Sequence, residues 1–293
     1  MALFMTRPSH AVDMNAKINQ LSKKQDYIII EQAIDKTGEL FNWCAVFDGH
    51  GSDDCIRFIR EIPLETMSEF IISDRPIENV AKYINNNLKL RVCSGSTMCL
   101  IKIYQNRIVC INCGDSQAAI YKNGNLEFIS EEHSFKNKKE KIRLANNVSY
   151  VASSDIKIAD VNTLISVYSE YIEWDNIENY TKLACSQALG HNGITGCVPD
   201  TVIIPITPGD KYKIIVGSDG LWDMVIKENK QDMLQLYTMD ADSIMKQTTE
   251  RWLQQWMMLD VLNNDPTIHY ATYNPYQCDD IALVVADIIP IIY

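Results

Sequence analysis

In Val46-Phe47-Asp48-Gly49-His50-Gly51, a carboxylate, an imidazole and two glycines end an apolar run that begins at Trp43. Glycine lets a backbone approach a ligand closely, so an acid and a histidine at such a corner are placed for chemistry. Three more acids keep similar company: Gly114-Asp115-Ser116, Ser218-Asp219-Gly220 and Cys278-Asp279-Asp280, each where a β-rich run stops or starts. Asp26 opens a fifth run. Carboxylates gathered at one rim repel, so some must be protonated or bound to a cation. Oxygen donors select hard ions, Mg²⁺ or Mn²⁺, over zinc. Two such ions about 4 Å apart lower the pKa of a shared water and clamp phosphoryl oxygens. No covalent nucleophile is then needed, and no activated Ser or Cys is evident. Singly, each acid has an ordinary reading: Asp-Gly makes turns, and Asp219 is placed to cap the helix that follows. Five at strand edges is a pattern that chance does not readily produce.

The elements that must carry these acids fall into separate blocks of strands and helices. Residues 27–30 and 43–47 read as buried strands joined through a turn at 35–38. Ile56, Ile59, Leu64, Met67 and Ile71 line one face of a helical stretch opened by Ser52 and kinked at Pro63. Pro76 starts another helix, with Val80, Ile84 and Leu88 inward. Residues 97–104, 107–113 and 118–121 are β-rich, and Asn123-Gly124 is a hairpin signal before 126–129. Residues 138–147 form a short charged helix, whereas 148–180 are mixed. Residues 183–190 read as a helical fragment, and 212–216 as a strand before a helix at Leu221. Ile244, Thr248, Trp252 and Trp256 suggest one long helix over 240–262, and 281–289 is a closing strand. Residues 1–20 lack a period and are expected to be a loose or edge segment. No repeat or linker intervenes, so one domain of α+β class over 21–293 is the expectation.

At 293 residues the chain can bury a substantial core. Its formal net charge of −11 disfavours nucleic acid and anionic membrane, which attract basic patches. No apolar run approaches a membrane span, and residue 2 is alanine, not the glycine of a myristoylation signal. The nine cysteines, with no secretory leader before them, read as reduced thiols of an intracellular protein, cytoplasmic or nuclear. Cys110 and Cys113 make a lone CxxC, but on a strand they point to opposite faces, so buried thiols are expected there, not zinc.

In order along the chain, the motifs resemble the PPM family of metal-dependent serine/threonine phosphatases, protein phosphatase 2C. The landmarks are Gln25-Asp26, the run 46–51, Ser94-Gly95-Ser96-Thr97 and Asn112-Cys113-Gly114-Asp115-Ser116. Glu132-His133 follows, with Glu140-Lys141-Ile142-Arg143, the run 183–190, Ser218-Asp219-Gly220-Leu221-Trp222-Asp223 and Asp279-Asp280-Ile281. The resemblance implies two antiparallel sheets face to face, flanked by helices on both outer sides, with a two-metal centre at one end. It implies that Asp48 bridges two Mg²⁺ or Mn²⁺ ions and that the Gly49 carbonyl binds one. Asp219 and Asp279 would hold the second, Asp26 would act through water, and Asp115 would join Asp219 at a looser third site. His50 would protonate the leaving seryl or threonyl oxygen; its plainer role is to close the turn by hydrogen bonding. The implied partner is a phosphoprotein substrate, and a monomer is expected.

Several positions depart from the pattern. Leu21 stands where the family usually carries a phosphate-gripping arginine. Lys23 and Lys24 could supply point charges instead, though lysine lacks the bidentate fork; they could equally be a solvated strand start. Gln187 and Gln117 replace arginines, His191 replaces an aspartate after Ala-Leu-Gly, and Asn146-Asn147 replaces two glycines. His191 reads as an exposed loop histidine. The departures leave a second reading, a pseudophosphatase that binds a partner without turnover, and a third, a hydrolase of small phosphoesters.

Overall fold

The computed structural model describes residues 10–21, 23–88, 94–144, 149–173, 183–262 and 266–291. Two antiparallel sheets stack face to face. One runs in the order β1 (His10–Asn19), β16 (Ile281–Pro290), β13 (Tyr212–Gly217), β7 (Gln117–Lys122), β8 (Asn125–Ile129). The other runs β11 (Leu189–Gly190), β4 (Ser94–Ser96), β3 (Leu40–Gly51), β5 (Met98–Ile103), β6 (Arg107–Cys113), β12 (Asp200–Pro205), with β2 (Asp26–Ile34) paired to β3.

Strand alternation makes the layers. Along β3, Cys44 and Val46 face the partner sheet and meet Ile120, Val216 and Val284, while Trp43, Ala45 and Phe47 face outward. Both faces are buried, which is why 43–47 reads as a continuous apolar run. Outside this sheet pack α1 (Asp54–Glu61), α2 (Leu64–Ile72) and α3 (Pro76–Asn87), through Ile56, Ile59, Met67, Ile71, Val80 and Ile84. Outside the first sheet pack α5 (Asp219–Trp222), α6 (Lys230–Thr238) and α7 (Ala241–Leu253), through Trp222, Met233, Ile244 and Trp252. Each such fully buried side chain contributes roughly 1.5–3 kcal/mol. The result is the expected α+β sandwich, helix–sheet–sheet–helix. Cys110 lies between the sheets and Cys113 under the helices, on opposite faces as alternation requires. All eight described cysteines are free thiols.

The structure decides one alternative and corrects three expectations. Residues 10–19 take the edge alternative: β1 pairs with the whole of β16 at the edge of the sandwich. Residues 240–262 are not one helix. Asp240 caps α7, which ends at Leu253, and β14 (Gln255–Asp260) follows. A spacing of four is even, so Trp256 suits a strand as well as a helix, and it is fully buried. Residues 183–190 are not helical either. Ser186 N–H donates to the His133 carbonyl and Leu183 N–H to Ile172, so neighbouring segments take these backbone donors. Finally, the mixed region holds β9 (Ser149–Asp160) and β10 (Thr163–Glu173), which join β14 and β15 (Thr267–Thr272) in a third sheet outside the sandwich. β10 and β14 run parallel in it. Asn146-Asn147 lies outside the described residues. The remaining helix, α4 (Lys138–Leu144), packs Leu144 with Phe135, Ile172, Leu183 and Cys185 in a small separate cluster.

Candidate active site

Antiparallel order brings alternate strand starts and strand ends to one rim. Asp26 starts β2 and stands directly opposite Asp48, near the end of β3. Asp115 lies between β6 and β7, and Gln117 pairs with Gly217, so Asp115 meets the end of β13, where Asp219 follows. Asp279 and Asp280 precede β16, whose Leu283 pairs with Gly217. The five acids are thus gathered from six strands.

The corner at Asp48 is fixed on both sides. The Asp48 N–H donates to Thr97 Oγ1 (3.1 Å), and the Thr97 N–H donates back to the Asp48 carbonyl (2.9 Å). Gly49 donates to the Gln25 carbonyl (3.0 Å), and a Cβ there would lie 2.9 Å from that oxygen, so glycine is required. Gln25 in turn donates its N–H to Asp280 (2.8 Å) and its amide to Asp53 (2.6 Å). Gly220 is equally constrained, since a Cβ would sit 1.9 Å from the Asp280 carbonyl.

Asp48, Asp115 and Asp219 each present a carboxylate oxygen within 4.8 Å of the others. Like charges opposed this closely are destabilising. Burial first, and then the charges of Asp26 and Asp279, push Asp48 well above the usual carboxylate range. Burial and the charge of Asp48 do the same to Asp219. Burial pushes Asp26 up to about 7, against a hydrogen bond from Ser218 Oγ (2.7 Å) and with Asp280 and Asp279 adding to the rise. Asp115 also stands at about 7, through burial and the charge of Glu132. Asp219 does not cap its helix, because the N-cap is Ser218; Asp219 Oδ1 is buried with no hydrogen-bond partner among the described residues. A cluster of hard oxygen donors, one of them orphaned and all held at raised pKa, fits a divalent cation.

The grouping differs from the implied one in two respects. Asp115 belongs to the tightest triad, whereas Asp279 is engaged elsewhere. Both of its oxygens accept from Lys23 Nζ at 2.8 Å. Burial works against that ammonium, but Asp279, with Asp219 and Asp48 beyond it, raises its pKa above that of an ordinary lysine. Lys24 is exposed, with a left-handed backbone (φ 58°), and its carbonyl accepts from Arg60. Leu21, in the arginine's place, packs against the core under α5–α7. Gln187 donates to Glu140 (3.0 Å), which also binds Arg143 and Ser186. Gln117 accepts from Lys227 Nζ (2.7 Å).

His191 is not exposed. It is fully buried, and its Nε2 lies 2.8 Å from Nε2 of His50. Cys185 Sγ is 3.5 Å from the same His50 nitrogen. Burial and the second imidazole lower the His50 pKa well below 6.5. Sequence reasoning also missed a cleft of about 100 Å³ beside Asp115 and Asp219. Glu132 and Asp223 line it, as do Asp155, Ser169 and Tyr171 from the β9–β10 hairpin. Glu132 and Asp223 lie inside recognised motifs and could have been singled out; the hairpin residues carry no sequence signal.

A helix-flanked double sheet with an acid rim at one end is the architecture of the phosphatase 2C type. The chain belongs to the protein phosphatase 2C family, whose model matches residues 11–254. It is 26% identical over 229 residues to "Probable protein phosphatase 2C 54" of Oryza sativa subsp. japonica, covering 75% of this chain and 58% of that one. Among solved structures, a serine-threonine phosphatase 2C from Toxoplasma gondii superposes with a TM-score of 0.57 at 15% identity, covering 97% of this chain and 96% of the other. The catalytic domain of the serine threonine protein phosphatase PstP, in complex with two manganese ions, gives 0.50 at 15% identity, covering 96% and 99%. At such identities the structures show the fold alone. The chain spans about half the length of the curated relatives it matches. Among the described residues, no helix is long and apolar enough to cross a membrane.

Proposed function

We propose that the chain is a Mg²⁺- or Mn²⁺-dependent phosphatase of phosphoserine and phosphothreonine in proteins, built as one domain. The observation that carries this reading is the Asp48–Asp115–Asp219 convergence, with a buried Asp219 oxygen that no group among the described residues satisfies. Asp48, Asp219 and the Gly49 carbonyl would hold the ions, Asp279 would share the second, Asp26 would act through water, and Asp115 would serve a third site. When bound, such ions supply charge neutralisation and a water acidic enough to ionise near neutral pH.

The chain's own residues do the rest. Lys23, already among the carboxylates and on Asp279, would supply a positive charge for a phosphate oxygen of the substrate. His50 donates a proton to the leaving seryl or threonyl oxygen as the P–O bond breaks. The β9–β10 hairpin forms one wall of the cleft through which the peptide enters. Free thiols throughout the described core suit a reducing cytoplasm or nucleus.

A pseudophosphatase, which the family match does not favour, would use the Lys23–Asp279 ion pair in place of one ion. Turnover of a phosphoserine peptide with Mn²⁺, its loss in EDTA, and its loss in Asp48→Asn would support the enzyme. No turnover at high protein concentration with saturating Mn²⁺ would support the binding module instead.

A further inference from the structure

We propose that His191 is a positioning residue: through the Nε2–Nε2 hydrogen bond it fixes the ring of His50 in the orientation the leaving oxygen needs. This rests on the phosphatase reading above. Three independent features of the backbone converge on the contact.

His191 opens a 3₁₀ turn (His191–Gly193) in the left-handed region, at φ 48°. A non-glycine residue is uncommon there, and the surroundings must hold it. The second feature is Gly95, where a Cβ would lie 2.2 Å from His191 Nε2. Any side chain at 95 would therefore fill the space the imidazole occupies. The third is register. Gly95 pairs with His50 on β3 and with Gly190 on β11, so the strand order carries residue 191 to the general acid. The ring centroids then lie 4.9 Å apart with planes 21° from parallel, so the rings meet nearly edge to edge along the Nε2–Nε2 line.

Two facing imidazole nitrogens 2.8 Å apart bond only if one carries hydrogen and the other a lone pair. The pair thus holds one proton on the line between them. A carboxylate, the usual residue at this place, would only accept. An imidazole both donates and accepts, so it can hold the facing nitrogen in either tautomer. In the reaction, the leaving oxygen takes a proton from His50 as it takes the electron pair of the P–O bond, and His191 keeps the His50 ring turned for that transfer.

The test compares esters that differ in their need for an acid. Nitrophenolate leaves from p-nitrophenyl phosphate without a proton, while a seryl alkoxide does not. In His191→Asn, which tolerates the left-handed backbone, kcat for a phosphoserine peptide should fall roughly 10–100-fold. For p-nitrophenyl phosphate it should change by less than about twofold. In His191→Gly, added imidazole should restore the peptide rate selectively. Equal losses on both esters, or no loss on either, would overturn the proposal. A readout free of turnover is ¹⁵N NMR of the imidazoles in the wild-type chain. The His50 Nε2 resonance should move in His191→Asn, and a resonance that stays put would count against the hydrogen bond between the rings. If the wild-type chain hydrolyses neither ester, the phosphatase reading fails, while the NMR result still decides whether the pair exists.

Discussion

The two halves of the candidate site are built on opposite principles. The carboxylate half is left wanting: Asp48, Asp115 and Asp219 crowd together, and Asp219 Oδ1 has no partner among the described residues. The substrate half, where the chain departs from its family, is satisfied within itself. Gln187 donates to Glu140, Gln117 accepts from Lys227, and His191 meets His50. Groups that repel store free energy that a cation releases; groups that pair simply stabilise the fold. The difference teaches which half awaits a ligand. It also gives mutations in the two halves opposite signs.

The sharpest contrast comes from Asp219→Asn. Activity should fall more than about a hundredfold, beyond the usual cost of losing an outer partner of a metal site. The same variant should melt at a higher temperature than wild type in EDTA, because one repelling charge is gone. A lower melting temperature there would break the contrast between the halves.

Next in size is the pH dependence of the metal-free chain. Asp26 and Asp115 stand at about 7 in the folded state, against an ordinary 3.8. The folded chain therefore holds more protons than the unfolded chain between these values, and stability must fall as pH rises through that window. The loss should amount to a few kcal/mol, on the order given by such linked shifts. Thermal melts in EDTA from pH 5 to 8 would show it, and Mn²⁺ should reverse it at pH 8. Stability that climbs with pH in EDTA would contradict the raised values.

Lys23→Ala bears on the one contact that joins the halves. Its loss removes a charge-assisted contact worth about 1.5–3 kcal/mol, so KM for a phosphopeptide should rise roughly tenfold or more. Mn²⁺ binding by calorimetry should tighten, since the ammonium no longer competes for Asp279. Weaker Mn²⁺ binding would mean that Lys23 orients Asp279 and does not occlude it. The smallest effect belongs to Gln187→Ala. Glu140 keeps Arg143 and Ser186, so unfolding by urea should show a loss near 1 kcal/mol, with Mn²⁺ affinity unchanged.

Much of the sandwich was legible because both faces of its central strands are buried. Residues 43–47 and 281–286 are unbroken apolar runs for that reason, and an acid at the edge of such a run stands out. The third sheet was not legible. β15 has almost every side chain exposed, and β9 alternates only loosely, so neither prints a period. Residues 183–190 misled because their partners are distant: Ser186 and Gln187 bond to Glu140, more than forty positions earlier. Leu21 shows the same limit from the other side. The sequence marks it as a lost arginine, but not that it packs under α5–α7.

Residue order alone determined the acids at strand ends, the glycines beside them and the apolar runs that had to be sheets, because each follows from local backbone geometry and burial. Tertiary structure alone decided the pairings: Asp26 opposite Asp48, Lys23 on Asp279, His191 against His50. These join residues as much as 256 positions apart, and their distances depend on strand register, which no local pattern encodes.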